Sequence, residues 1–246
     1  MDLKIVNPTA RYGRVRLMEP PGLGYIQVAA AVEPPARGPR PGASAAKRAL
    51  LANLKSLASR LEGMEPVEKA TVFRAIVVPP PGGYAKQHAS HVARYDVAVL
   101  VETTSPEVLE EVRGSEPYKD LLQAITDAAG DVHVMNARCV KRIADVDKTR
   151  QGLFLFNYFV AEDPGVALEL WDYLADWYVG ETGLRNSTLL APIGRADYTL
   201  VNHARWDETL PRFMVRQFAK PSFFTYVLAN MRANRVGAMP LLYRLA

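Results

Sequence analysis

Alternation of apolar and polar residues is clearest at residues 195–206, R-A-D-Y-T-L-V-N-H-A-R-W. A two-residue period puts Tyr198, Leu200, Asn202, Ala204 and Trp206 on one face and Thr199, Val201, His203 and Arg205 on the other. Its middle is β-branched or apolar, which predicts a strand. Strands are also predicted at 24–32, 71–78, 96–101, 132–143, 153–160, 184–193 and 239–245. Leu50, Leu51, Leu54, Leu57, Ala58 and Leu61 recur at three- and four-residue spacing, predicting an amphipathic helix over 45–63. Residues 164–179 repeat that spacing with Leu168, Trp171, Leu174, Ala175 and Tyr178, with Asp163 as N-cap and Pro164 in the first turn. Broken helices are expected at 106–113 with 117–129, and at 207–215 with 221–233.

The strand at 195–206 has a counterpart. R-Y-D-V-A-V-L-V-E-T-T-S at 94–105 overlies it without a gap, matching Arg94 to Arg195 and Asp96 to Asp197. Where one copy has Asn202, His203 and Trp206, the other has Val101, Glu102 and Ser105. The strand ends Val32-Glu33-Pro34 and Glu162-Asp163-Pro164 place Asn157 opposite Gln27. Both halves run strand, helix, strand, strand, helix, strand, the order of a ferredoxin-like unit. The expected fold is therefore α+β, with two tandem βαββαβ units whose antiparallel sheets pack as an intramolecular barrel. The expected divisions are an N-terminal extension at 1–22 carrying an edge strand, a first unit at 23–147 with a Pro-rich loop at 33–44, and a second unit at 152–246.

Bulk composition narrows the function classes. Of 246 residues, 49% are hydrophobic and 23% charged, a globular mixture. Thirty Lys and Arg against 26 Asp and Glu leave +4, without a basic run that would grip a nucleic-acid backbone. One cysteine, Cys139, precludes an intrachain disulfide and reads as a small buried side chain. No apolar run reaches the ~20 residues of a membrane span, and M-D-L-K-I-V-N-P has no signal-peptide core, so a cytoplasmic protein without membrane or nucleic-acid partners is expected. His88 and His91 form an H-x-x-H pair on a polar loop, where a solvated pair is commoner than a metal site.

The order of a strand, W-D-E-T-L, a helix containing K-P-S-F-F, then P-L-L-Y-R-L resembles the dimeric α+β-barrel superfamily, with most similarity to its antibiotic-biosynthesis-monooxygenase-like branch. The resemblance covers 152–246 well and 24–143 more weakly, and implies two normally separate chains fused into one. It implies a cofactor-independent monooxygenase acting on an aromatic or polyketide-like small molecule, with Asn202 and Trp206 at the catalytic asparagine and tryptophan. An amide can hydrogen-bond an oxygenated intermediate and an indole N–H adds a donor. Candidate substrate-binding residues are Asn157, Trp171, Tyr178, Tyr198 and Tyr226. Haem-degrading members of the superfamily place a histidine after the helix. Nothing here matches it, so no cofactor is expected and haem is disfavoured. The alternative is a non-catalytic barrel that binds an apolar ligand or self-associates; the fold hosts both. Each candidate also has a structural reading: Trp171, Tyr178 and Trp206 as core aromatics, and Asn202 as part of a buried polar network.

Overall fold

The computed structural model describes residues 2–33 and 43–246, so the Pro-rich loop expected at 33–44 falls almost wholly outside the described residues. The first half contributes β1 (Gly24–Ala31), α1 (Ala45–Glu62), β2 (Val67–Val77), α2 (Gly83–His88), β3 (Val97–Thr103), α3 (Leu109–Gly114), α4 (Glu116–Ala128) and β4 (Asp131–Ala144). The second contributes β5 (Leu153–Ala161), α5 (Pro164–Trp177), β6 (Ser187–Pro192), β7 (Leu200–Trp206), α6 (Leu210–Phe218), α7 (Ala229–Ala233) and β8 (Val236–Leu245). Two π-helical turns, Tyr178–Thr182 and Phe223–Leu228, extend α5 and lead into α7.

The strands close a barrel in the order β1-β3-β2-β8-β5-β7-β6-β4, every pair antiparallel. Each half thus supplies a four-stranded ferredoxin-like sheet, and the seams β2–β8 and β4–β6 join the two edge to edge. Closure leaves no unpaired sheet edge in the barrel. It also explains why β7 is buried along its whole length: one face looks into the barrel and the other toward helices.

Aromatic side chains fill the interior. Phe73, Tyr95, Phe154, Phe156, Tyr158, Tyr198 and Tyr243 pack together, and Gln27 donates to the Tyr158 hydroxyl at 3.0 Å. His203 stacks on Phe156 at 4.3 Å, and its Nδ1 donates to the Leu155 carbonyl at 3.0 Å. Burial is the main cause that drives its pKa well below the ordinary 6.5, and His133 is lowered in the same direction. The unfolded chain therefore takes up a proton near pH 6.5 that folded His203 refuses. Its contribution to stability is complete above that pH and is lost as pH falls, by up to about 1.4 kcal/mol per pH unit. The melting temperature should drop between pH 7.5 and 5, and His203→Gln should flatten that slope; an equally steep slope in the variant would remove His203 as its source.

Several expectations need correction. The strand predicted from 195 begins at Leu200, because the chain bends at 193–199 after Gly194, whose φ is 84°. Period-two counting fails across that bend: Tyr198 turns into the barrel, where its hydroxyl meets that of Tyr95 at 2.8 Å. The loop expected at 84–92 holds α2 instead. The pairing of Asn157 with Gln27 is one residue out of register. Asn157 lies across from Asn202, and the corresponding pair in the first half is Ile26 with Val101. One residue flips a side chain to the other face.

Among the described residues, 2–22 form no edge strand, apart from one bridge between Met18 and Arg142. They run as a strap over the second half. Lys4 and Val6 donate backbone N–H groups to Asn234 and Asn230, and Val15 donates to Asp176. The buried Glu181 carboxylate anchors the strap through Tyr12 and Arg11, with Lys220 as its third partner.

Candidate active site

The outer faces of the two sheets differ. In the first half, Ile26, Val28, Val99 and Val101 pack directly on Leu54, Leu57, Leu61, Leu121 and Ile125. In the second half the matching space is hollow. A cavity of about 950 Å³ lies between β5, β7 and β8 and the helices α5, α6 and α7. Its wall is largely apolar, including Leu155, Phe159, Leu170, Leu174, Leu200 and Phe223. The first half adds Pro79, Pro80, Gly83 and Tyr84, because α2 crosses onto β8. That crossing needs Gly237: a Cβ there would lie 2.2 Å from the Ala85 nitrogen.

The polar floor of the cavity is the cross-strand pair Asn157–Asn202. Asn202 Oδ1 accepts from Trp171 Nε1–H at 3.1 Å and from Ser187 Oγ–H at 2.6 Å. An indole N–H can only donate, so the atom facing Trp171 must be the amide oxygen. This settles the orientation of the amide. Its NH2 makes no hydrogen bond to a described residue and is the group left for a ligand. Asn157 Oδ1 is a buried acceptor without a partner among the described residues. Leaving such an atom unpaired costs about 1–3 kcal/mol, and Asn157 lines the cavity, where a ligand donor could reach it.

The candidate residues separate into those on the cavity and those away from it. Asn157, Trp171, Tyr178, Asn202 and Trp206 line the cavity. Tyr198 lies inside the barrel, whereas Tyr226 stacks on Tyr173 and donates to its carbonyl outside the cavity. Trp206 offers the cavity its ring, since its Nε1–H is engaged by Thr182 Oγ1 at 3.1 Å. Burial pushes the Tyr178 phenol well above its ordinary pKa. Sequence reading missed Ser187, Arg232 and the residues supplied by α2.

Among the described residues no histidine, cysteine or carboxylate lines the cavity, so these offer a haem iron no imidazole or thiolate. Among the described residues no group of three or more His, Cys, Asp and Glu could hold a metal ion, and no helix is long and apolar enough to cross a membrane. His91 pairs with Asp131 at 2.9 Å, and His88 stacks on Tyr84. Cys139 is buried, with its thiol pushed up to about 11.

The chain is an α+β barrel, and the same fold recurs in solved structures. An anthrone oxidase-like protein matches with a TM-score of 0.61 at 12% identity, over 94% of each chain. A candidate monooxygenase of Fusobacterium nucleatum matches with 0.57 at 8% identity, over 93% of this chain and 94% of that one. A candidate chlorite dismutase matches with 0.51 at 13% identity, over 91% and 95%. Identity this low shows the fold alone. No family model and no curated protein matches the sequence.

Proposed function

We propose that the second-half cavity binds an aromatic or polyketide-like small molecule and that the protein is a cofactor-independent monooxygenase acting on it. The observation that carries this reading is the oriented Asn202 amide at the floor of an otherwise apolar cavity. Convergent polar groups in a large apolar cavity are the usual marks of a ligand site. A fused-ring phenolate would place its oxygen against the Asn202 NH2, and its electron-rich ring carbon would bond dioxygen to give a hydroperoxide, whose O–O bond breaks with loss of water to leave a quinone carbonyl. The names of two fold neighbours, anthrone oxidase-like and monooxygenase, agree with that chemistry. We read the tandem units as a fused pair in which the second sheet kept a site and the first was filled with aliphatic side chains.

One observation favours binding without turnover. The cavity wall holds no carboxylate or imidazole to take a phenol proton, and Tyr178 resists ionisation. A substrate for the oxygenase would have to ionise readily by itself.

Dioxygen uptake with anthrone and with a naphthohydroquinone tests the two readings. Consumption above autoxidation is expected. Trp171→Phe should lower it by about tenfold while costing only about 1 kcal/mol of stability, because the freed amide can turn its oxygen toward the ligand. Tight binding without uptake would support the binding reading, and absence of both would remove the site.

A further inference from the structure

Among the described residues that line the cavity, Arg232 is the one with a charged side chain. It lies on α7 and is exposed, and its guanidinium has no hydrogen bond or ion pair with a described residue. Three other cations of the second half have carboxylate partners. Arg235 forks onto both oxygens of Glu162 at 2.8 and 2.6 Å, Arg216 pairs with Glu208, and Lys220 pairs with Glu181. Arg232, unlike these three, is unpaired among the described residues, and it lines the apolar cavity.

Its surroundings are unusual for a surface arginine. Met214, Phe218, Phe224 and Leu228 line the same cavity, yet are 37%, 43%, 52% and 42% exposed. They form an apolar rim. Phe224, Leu228 and Arg232 follow one another at four-residue steps through the π turn and into α7, which gives an apolar stripe ending in a cation. Clustered exposed apolar side chains commonly mark a binding surface.

We propose that the cavity takes an amphipathic organic acid, with its ring-bearing body between sheet and helices, an acceptor oxygen at the Asn202 amide and its anionic group on Arg232. This rests on the reading of the cavity as a ligand site and is independent of oxygenase activity. A neutral ligand gains nothing from Arg232, and an organic cation is repelled. An anion gains a charge-assisted, two-pronged contact that no neighbouring carboxylate contests.

Two fluorescent probes isolate that contact: 1-anilinonaphthalene-8-sulfonate and its neutral counterpart N-phenyl-1-naphthylamine, which lacks the sulfonate. The native protein should bind the sulfonate more tightly, with an affinity that weakens as salt is added. Arg232→Gln should weaken sulfonate binding about tenfold and leave the neutral probe within about twofold. Arg232→Lys should keep part of the preference. Arg185→Gln, which removes an exposed arginine that does not line the cavity, should change neither. An unchanged ratio of the two affinities in Arg232→Gln, or an equal loss in Arg185→Gln, would overturn the role of Arg232 while leaving a cavity that binds neutral molecules. Failure of both probes to bind would overturn the ligand-site reading and this inference with it.

Discussion

Asn202→Ala should lower turnover of a bound hydroquinone by roughly 10–1000-fold, the loss expected for one oriented donor. The same change should cost about 1–3 kcal/mol of stability, because Trp171 Nε1–H and Ser187 Oγ–H lose their shared acceptor in the interior. On the proposed reading both effects arise from one amide, whose oxygen accepts from Trp171 and Ser187 and whose NH2 would meet the ligand. Ser187→Ala separates them: it deletes one donor to Asn202 and should lower the melting point slightly while turnover changes little. Thermal melting and dioxygen uptake on both variants decide the matter. A lowered melting point with native activity in Asn202→Ala would leave Asn202 a structural residue.

Gly237→Ala should produce the largest loss of stability. Its Cβ would meet the Ala85 backbone nitrogen at 2.2 Å and Cα at 2.7 Å, and backbone cannot rotate out of the way as a side chain can. Overpacking of this kind costs about 3 kcal/mol. For a chain of 246 residues that is a drop of roughly 6–12 °C in melting temperature. Relief would come by lifting α2 off β8, which would carry Gly83 and Tyr84 away from the cavity wall. A melting temperature within about 2 °C of the native value would show that α2 is not held where Gly237 permits it.

Much of the architecture was legible because it follows from local periodicity. The two-residue period of the strands and the three- to four-residue period of α1 and α5 located those elements, and their repeated order led to the barrel. Asn202 stood out as an amide in an apolar strand. What periodicity could not supply was register across a bend, which misplaced Tyr198, or register between copies, which set Asn157 against Gln27. Nor could it show that Trp171 is the donor that orients Asn202, since that bond joins residues 31 apart. Arg232 looked like any surface arginine. Its meaning comes from the cavity beside it, which three-dimensional packing creates.

The strap across the second half bears on how the chain is made. Lys4 and Val6 dock on side chains 230 and 224 positions further along. During synthesis these residues emerge long before their seat, which lies 230 and 224 positions later. The seam between β2 and β8 has the same difficulty, so the first half must wait with an open sheet edge. Contacts so distant in sequence slow folding, because a large loop must close before they form. Barrel closure and full strap docking should therefore be late events, and a chain stalled before residue 230 would leave Lys4 and Val6 without their partners.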